Sequence, residues 1–165
     1  MSDVDVIRLP LSQGQFALIS PEDIDLAQLK WSAAKHEYGG YYAFRTNPTK
    51  ESPKKIYLHR VILSRMLGRE LTRVDECDHI DLNKLNNQRS NLRLATHSEN
   101  VRNRRKHRDN KSGYKGVSFH RNRWEANICV HGKIKHLGRF RTPELAYEAY
   151  CKAAHDIHGD FARLE

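Results

Sequence analysis

Between residues 74 and 105 the chain packs two short apolar runs, a polar loop and a capped helix into one compact stretch. "VDECDHI" reads as a short strand, "DLNKLNNQRS" as a glycine-free loop rich in amides, and "NLRLAT" as a second strand. "THSENVRNRRKH" then reads as a helix, opened by the T-x-x-E capping box of Thr96 and Glu99. Asp78 and His79 leave the first strand side by side, and Asn91 stands at the entrance to the second. Asn100 falls in the first helical turn, where backbone N–H groups and the helix dipole favour an anionic oxygen, and Asn103 follows on the same face. A plain turn needs neither an acid–imidazole pair nor so many amides.

Phosphodiester hydrolysis needs a base to deprotonate water, a cation at the scissile phosphate and leaving oxygen, and a group that orients the base. An imidazole, a hard carboxylate with an amide oxygen, and a second amide supply these. Magnesium suits the oxygen donors, because hard cations take such ligands and keep several waters. The same residues also fit a structural reading, with Asp78 capping a turn, His79 at the surface and the asparagines in turn chemistry. On spacing alone that reading is the simpler one, since Asn and Asp are common in loops.

At 165 residues the chain has room for one domain or two small ones. Charged residues make up 30% and hydrophobic ones 38%, which suits a soluble protein with a modest core. No run approaches the length of a bilayer-spanning helix, and "MSDVDVIRLP" lacks the basic and apolar regions of a signal peptide. Cys77, Cys129 and Cys151 are isolated, which argues for a reducing, intracellular setting and against a disulfide framework or a cysteine zinc site. The formal charge of +9 is uneven. Residues 1–57 are neutral, 58–111 hold 13 basic residues against 7 acidic, and 112–165 hold 9 against 6. That distribution points to a polyanion, most simply nucleic acid, although a solvated basic face kept for solubility accounts for charge alone equally well.

In the first third, "VDVIRLPL" and "QFALIS" flank Ser12-Gln13-Gly14 and read as a hairpin. "SPEDIDLAQLKW" reads as a helix, with Ser20 as N-cap, Pro21 at the first position, Asp23 three past the cap, and Ile24, Leu26 and Leu29 as its apolar face. "YYAFRT" and "KIYLH" read as a strand pair around a loop holding Pro48 and Pro53, and "RVILSRMLGRE" as a short helix ended by Gly68. His36 and His59 read as packing or surface histidines, and this third offers no chemistry of its own.

After the centre, "RKHRDNKSG" reads as a basic tether suited to a phosphate backbone. "YKGVSFHRN", "RWEANICVHG" and "KIKHLGRF" read as three strands with turns at Arg121-Asn122 and His131-Gly132. "TPELAYEAYCKAAHDIHG" reads as a helix with Thr142 as N-cap, Pro143 at its first position and Gly159 past its end, presenting Leu145, Ala146, Ala149, Ala153 and Ile157 on one face. Val117, Phe119, Trp124, Ala126, Ile128, Val130, Leu137 and Phe140 are the expected core positions on the strands.

The stretch "DECDHIDLNKLNNQRSNLRLATHSENVRNR" resembles the ββα-metal motif of HNH endonucleases, in the phage and intron-encoded group that reads DHIDGN…NN…NLR…SEN. The name-giving positions fall on His79, Asn91 and Asn100. The resemblance implies that His79 is the general base, that Asp78 and Asn100 hold the divalent metal, Mg2+ or Mn2+, and that Asn91 orients the histidine or braces the loop. Leu82 stands where the family often has glycine. The CxxC zinc pairs of some relatives are absent, so protein packing must support the motif. The segment from "VIRLPLSQGQF" to "IYLHRVI" also resembles the region preceding this motif in such phage enzymes.

The last third resembles the AP2/ERF DNA-binding domain through Tyr114-Lys115-Gly116-Val117, Trp124, Ala126, Ile128, Leu137-Gly138, Phe140, Thr142, Glu144, Ala146, Ala149 and Tyr150. In that family a three-stranded sheet enters the major groove, a known docking mode. The resemblance implies a DNA face of Lys115, Ser118, His120, Glu125, Asn127, Ile134, His136 and Arg139, with phosphate contacts from Arg121 and Arg123. Arg102, Arg104, Arg105, Lys106 and Arg108 add a basic run before it. Ser118 and His120 stand where plant regulators usually have guanine-reading arginines, so a different and looser base preference is expected.

The expected fold class is therefore α+β: a small N-terminal α+β segment (1–57), an HNH ββα nuclease domain (58–108), a basic linker (109–113), and an AP2-like three-stranded antiparallel sheet packed on one helix (114–165). The expected function is a metal-dependent, homing-type endonuclease on double-stranded DNA, its oligomeric state open with a monomer favoured, without a membrane partner, and cytoplasmic, in the host cell if phage-encoded. A DNA-binding protein with a silent HNH module is the alternative, and a nuclease for structured RNA or single strands is a third.

Overall fold

In a computed structural model the described residues are 6–37, 39–47, 54–103, 106, 109–130 and 132–164. Pro48 and Pro53 of the expected loop, Arg104, Arg105 and Arg108 of the basic run, and His131 of the second hairpin lie outside them. The chain divides into two compact units, residues 1–95 and 96–165. The division falls inside the strand–loop–strand–helix stretch, ahead of its helix.

The first unit begins with the expected hairpin, β1 (Ile7–Pro10) against β2 (Phe16–Ile19). Alternation buries Leu9, Ala17 and Ile19 at 2% exposure or less. The expected helix after Ser20 is instead a 3-10 run, Pro21–Gln28, kinked at Asp23. Two side chains explain the difference. The Ser20 hydroxyl accepts from the Arg89 backbone N–H rather than capping a helix, and Asp23 turns inward to meet two arginines. Of its expected apolar face only Leu26 is buried, while Ile24 and Leu29 are exposed.

A sheet follows, made of β3 (Ser32–Lys35), β4 (Tyr41–Thr46) and β5 (Lys55–Tyr57), all antiparallel. β3 was not expected, because its small residues carry little strand signal. Helix α1 (Leu58–Leu67) ends at Gly68, whose φ of 62° permits the left-handed cap. Strand β6 (Glu76–His79) pairs antiparallel with β8 (Leu92–Ala95), and between them the two-residue β7 (Asn86–Asn87) pairs parallel with β2. Leu9, Ile19, Leu26, Trp31, Leu58, Ile62 and Leu92 pack as one core. Each fully buried leucine or isoleucine contributes about 1.5–3 kcal/mol, and the core binds the N-terminal hairpin to the ground beneath the loop.

The second unit starts with α2 (His97–Arg102), where the expected capping box is present in both directions. Glu99 therefore places its own carboxylate at the helix N-terminus. Strands β9 (Val117–His120), β10 (Arg123–Val130) and β11 (Lys133–Phe140) form an antiparallel sheet ordered β11-β10-β9, and α3 (Pro143–His158) packs on it. Arg121 and Asn122 both have positive φ, as a two-residue primed hairpin turn requires. Val117, Ala126, Ile128, Ala146, Tyr150 and Ala154 are buried. Two expected core residues are not: Phe119 is 58% exposed, toward the end of an edge strand with its ring against Trp124, and Leu145 is 48% exposed in the first turn of α3.

Candidate active site

Strand β6 delivers Asp78 and His79 into the interior, at 2% and 5% exposure. Across the ladder Asp78 faces Arg93, which donates from Nε and Nη2 to Asp78 Oδ2, each at 2.8 Å. The next pair places His79 opposite the buried Leu92. His79 Nε2 lies 3.4 Å from Asn87 Oδ1, and Asn87 is itself fully buried. The His59 ring meets the His79 ring edge-on at 5.3 Å, and Tyr42 closes the cluster at 6.3 Å. Burial lowers the His79 pKa, against the opposing pull of Asn87, Asp81 and Asp78 and with the help of Lys84. The neutral imidazole that results is the form able to accept a proton. His59 is pushed down to about 3, by burial first and then by His79 and Arg60, so it too is neutral at ordinary pH.

The loop after His79 is held by side chains. Asn91 Oδ1 accepts from the Asp81 N–H at 3.0 Å, while Asn91 Nδ2 donates to Asp81 Oδ1 at 2.9 Å and to the Asn86 carbonyl at 2.7 Å. Asp81 also accepts from the Asn83 N–H and from Asn86 Nδ2. Of the two roles open to Asn91, the bonds it makes are those of a loop brace, and Asn87 is the amide beside the histidine. Leu82 adopts φ 66°, the left-handed conformation for which glycine is suited, and still donates its N–H to the His79 carbonyl at 2.9 Å.

Support reaches this loop from the N-terminal third. Leu18 donates to the Leu85 carbonyl at 2.8 Å, in line with the β2–β7 ladder. Asp23, fully buried, accepts from Arg89 Nε at 2.8 Å and from Arg65 Nη1 at 3.2 Å, joining the far end of the loop to α1. Lys84 sits 2.8 Å from His36 Nδ1 and 5.0 Å over the Tyr42 ring. Sequence reasoning missed Asn87, Asp23, Arg89, Tyr42 and the ring contact of His59. Only the doubled asparagine at 86–87 carried a local signal; the others acquire their roles through long-range packing.

Among the described residues no three His, Cys, Asp or Glu side chains gather as a metal cluster. A hard cation asks for less, since magnesium binds through one or two carboxylates together with substrate phosphates and waters. The donor types of Asp78 and Asn100 fit that requirement. Asn100 lies in α2, half-buried, its N–H bonded to the Thr96 carbonyl.

In the second unit the expected nucleic-acid residues fall mostly on the sheet. Ser118 opposes Glu125, which opposes Arg139, and Asn127 opposes His136. Glu125 Oε1 accepts from Arg139 Nε at 2.9 Å and lies 3.3 Å from His120 Nδ1. Although burial opposes it, the His120 and Arg139 contacts hold the Glu125 carboxyl below its ordinary value. His120, Arg121, Arg123, Ile134, His136 and Arg139 are exposed. Lys115 departs from this set: its Nζ donates to the Arg102 carbonyl at 2.6 Å and is half-buried. Lys106 Nζ donates to the Gly113 carbonyl.

Among known proteins, a family profile described as HNH endonuclease matches residues 56–102. An uncharacterized HNH endonuclease of Acanthamoeba polyphaga mimivirus is 31% identical over 151 residues, covering 91% of this chain and 74% of the relative. Protein 3.8 of Escherichia phage T7 is 38% identical over 89 residues, covering 53% of this chain and 73% of that protein.

Proposed function

Because the chain belongs to the HNH endonuclease family, we propose that it hydrolyses phosphodiester bonds of double-stranded DNA with His79 as general base. The observation that carries this reading is the imidazole of His79, buried, neutral and set beside Asp78 at the end of β6. His79 takes a proton from the attacking water, a role worth roughly a hundred- to ten-thousand-fold in rate. The Asn87 contact at Nε2 fixes the ring, and Asn91 with Asp81 keeps the loop from shifting it. Asp78 and Asn100 would hold a divalent cation, Mg2+ or Mn2+, which when bound neutralises phosphate charge and stabilises the leaving oxygen. Arg93 keeps the Asp78 carboxylate in place across the ladder.

The sheet of β9–β11 is read as an AP2-like DNA anchor, supported by its exposed basic and amide side chains and its covering helix on the other face. A homing-type role and a viral origin are part of the same reading, supported by the resemblance of the central motif and by the viral relatives. No helix of the described residues is long and apolar enough to cross a membrane.

One observation favours the rival reading of a silent nuclease: Asp78 already shares Oδ2 with Arg93. Relaxation of supercoiled plasmid by the purified full chain separates the two. The nuclease reading expects nicks or breaks with magnesium and manganese, weaker activity with calcium, and none with EDTA. Unchanged cutting in EDTA would remove the metal, and no cutting with any of these ions would favour the rival.

A further inference from the structure

The second unit contains a cleft of about 190 Å3 between α2, β10, α3 and the tail that follows α3. One water needs only about 10–15 Å3 by such a measure, so the cleft has room for a larger guest. Its walls include Ile128 and Tyr150, and its charged lining is Arg102, Lys115, Arg163 and, when protonated, His158. Among the described residues of the lining none bears a carboxylate. The α2 end fixes two of these cations: Lys115 Nζ donates to the Arg102 carbonyl, and Arg163 Nη1 donates to Asn103 Oδ1 at 3.4 Å.

Like charges held together beside apolar walls repel more than they would in water. The titration of the lining reflects it. Burial and then the Arg163 guanidinium push Lys115 down to about 8, and burial and then Arg102 lower His158. An anion in the cleft offsets the repulsion from the neighbouring guanidinium groups and so raises both. Phosphate is the anion that best matches donors arriving from several directions, because it offers oxygens around a tetrahedron and pairs well with guanidinium groups.

We propose that this cleft is a phosphate-binding site, in which Arg102, Lys115 and Arg163 grip a phosphate group supplied either by a nucleic-acid backbone or by a free phosphate. It lies wholly within the second unit and does not depend on how His79 acts.

The test uses the full chain. Inorganic phosphate is titrated calorimetrically at fixed ionic strength, with chloride replacing phosphate in the control, and a short DNA duplex is titrated separately across a salt series. Three variants are compared after their melting curves confirm folding: Arg163→Gln and Lys115→Gln remove charge, while Ala162→Leu fills the cleft and leaves the charge unchanged. A free-phosphate site gives saturable phosphate binding that weakens about tenfold or more in all three, with duplex binding unaffected by added phosphate. A backbone site gives duplex binding that weakens in all three, including the charge-neutral Ala162→Leu. In that case the salt slope falls by about one phosphate's worth in the two glutamine variants. Duplex binding that responds to the glutamine variants and not to Ala162→Leu would assign the effect to diffuse surface charge and overturn the proposal, as would phosphate and duplex binding indifferent to every variant.

Discussion

The polar side chains around His79 and those on the β9–β11 sheet make hydrogen bonds of similar length in opposite surroundings. Asn91 bonds Asp81 at 2.9 Å and Arg139 bonds Glu125 at 2.9 Å. Yet Asp78, His79, Asn87 and Asn91 are all at most 7% exposed, whereas His120, His136 and Arg139 are open to solvent. Buried, a polar group deprived of its partner loses about 1–3 kcal/mol, so each bond there enforces one geometry. On the sheet, water can replace either partner at little cost, and a phosphate can take the place of the carboxylate. The first region is built to hold reacting groups still, and the second to exchange its contacts with a partner.

The hardest test of that contrast is His79→Ala. Cleavage should fall by about a hundred- to ten-thousand-fold, while duplex affinity, measured on uncleaved DNA without metal, stays near wild type. The pH profile sharpens it. The neutral form is the active base and its pKa is lowered by burial, so the rate should hold through the ordinary histidine range near pH 6.5 and decline only below it. An acid limb at or above pH 6.5 would mean that His79 is not held neutral or is not the base. The sheet offers the control: His120→Ala should leave the profile unmoved and alter only binding.

Next in size is Gly116→Ala, which attacks the second region through its core. A Cβ there would run into the Tyr150 ring and come within 2.8 Å of the Asn127 carbonyl, at a φ of 74°. Overpacking and left-handed strain together cost about 2–5 kcal/mol. Hydrogen exchange should show lost protection across β9–β11 and α3, while the strands of residues 7–95 keep theirs. Loss spread evenly over both units would mean that they do not melt as separate bodies.

Asp23→Ala should have a smaller but telling effect, about 1–3 kcal/mol, the range for unpaired hydrogen-bonding groups. Asp23 is wholly buried, but Arg65 and Arg89 are each about a third exposed and can be rehydrated once it is gone. The loss should appear as weaker protection of residues 80–91 and a lower cleavage rate with unchanged duplex affinity. A variant that melts like wild type would show that the ladder between β2 and β7 holds the loop without the arginine clamp.

These supporting groups mark the limit of what the sequence reveals. The capping box at Thr96, the hairpin at 12–14, the Gly68 cap and the order of the last three strands and helix are local patterns, and each was readable from neighbouring residues. Asp78, His79 and Asn91 were readable as a constellation because they share one short stretch. Asp23 looked like an early-helix acid, since nothing nearby announces arginines 42 and 66 residues onward. Asn87 was marked only as half of the doubled asparagine at 86–87, and its strand exists only through parallel pairing with β2. His59 read as a packing or surface histidine; it packs, and the ring it packs against is that of the proposed base.

The smallest effect is expected at Leu82. Its φ of 66° costs a leucine about 1–2 kcal/mol, so replacement by glycine relieves strain. Glycine also gives the unfolded chain more freedom, at about 0.5–1 kcal/mol, and removes a half-buried side chain. These terms nearly cancel, and Leu82→Gly should change stability by less than about 1 kcal/mol in a urea melt, with cleavage at the wild-type rate. The reason lies in what holds the turn. The Leu82 N–H bonds to the His79 carbonyl, and Asp81 with Asn91 fixes the residues on either side, none of which involves the leucine side chain. A loss above about 2 kcal/mol, the range for truncating a buried leucine, would show that the side chain itself anchors the loop. The buried amide network would then be the consequence of the turn rather than its cause.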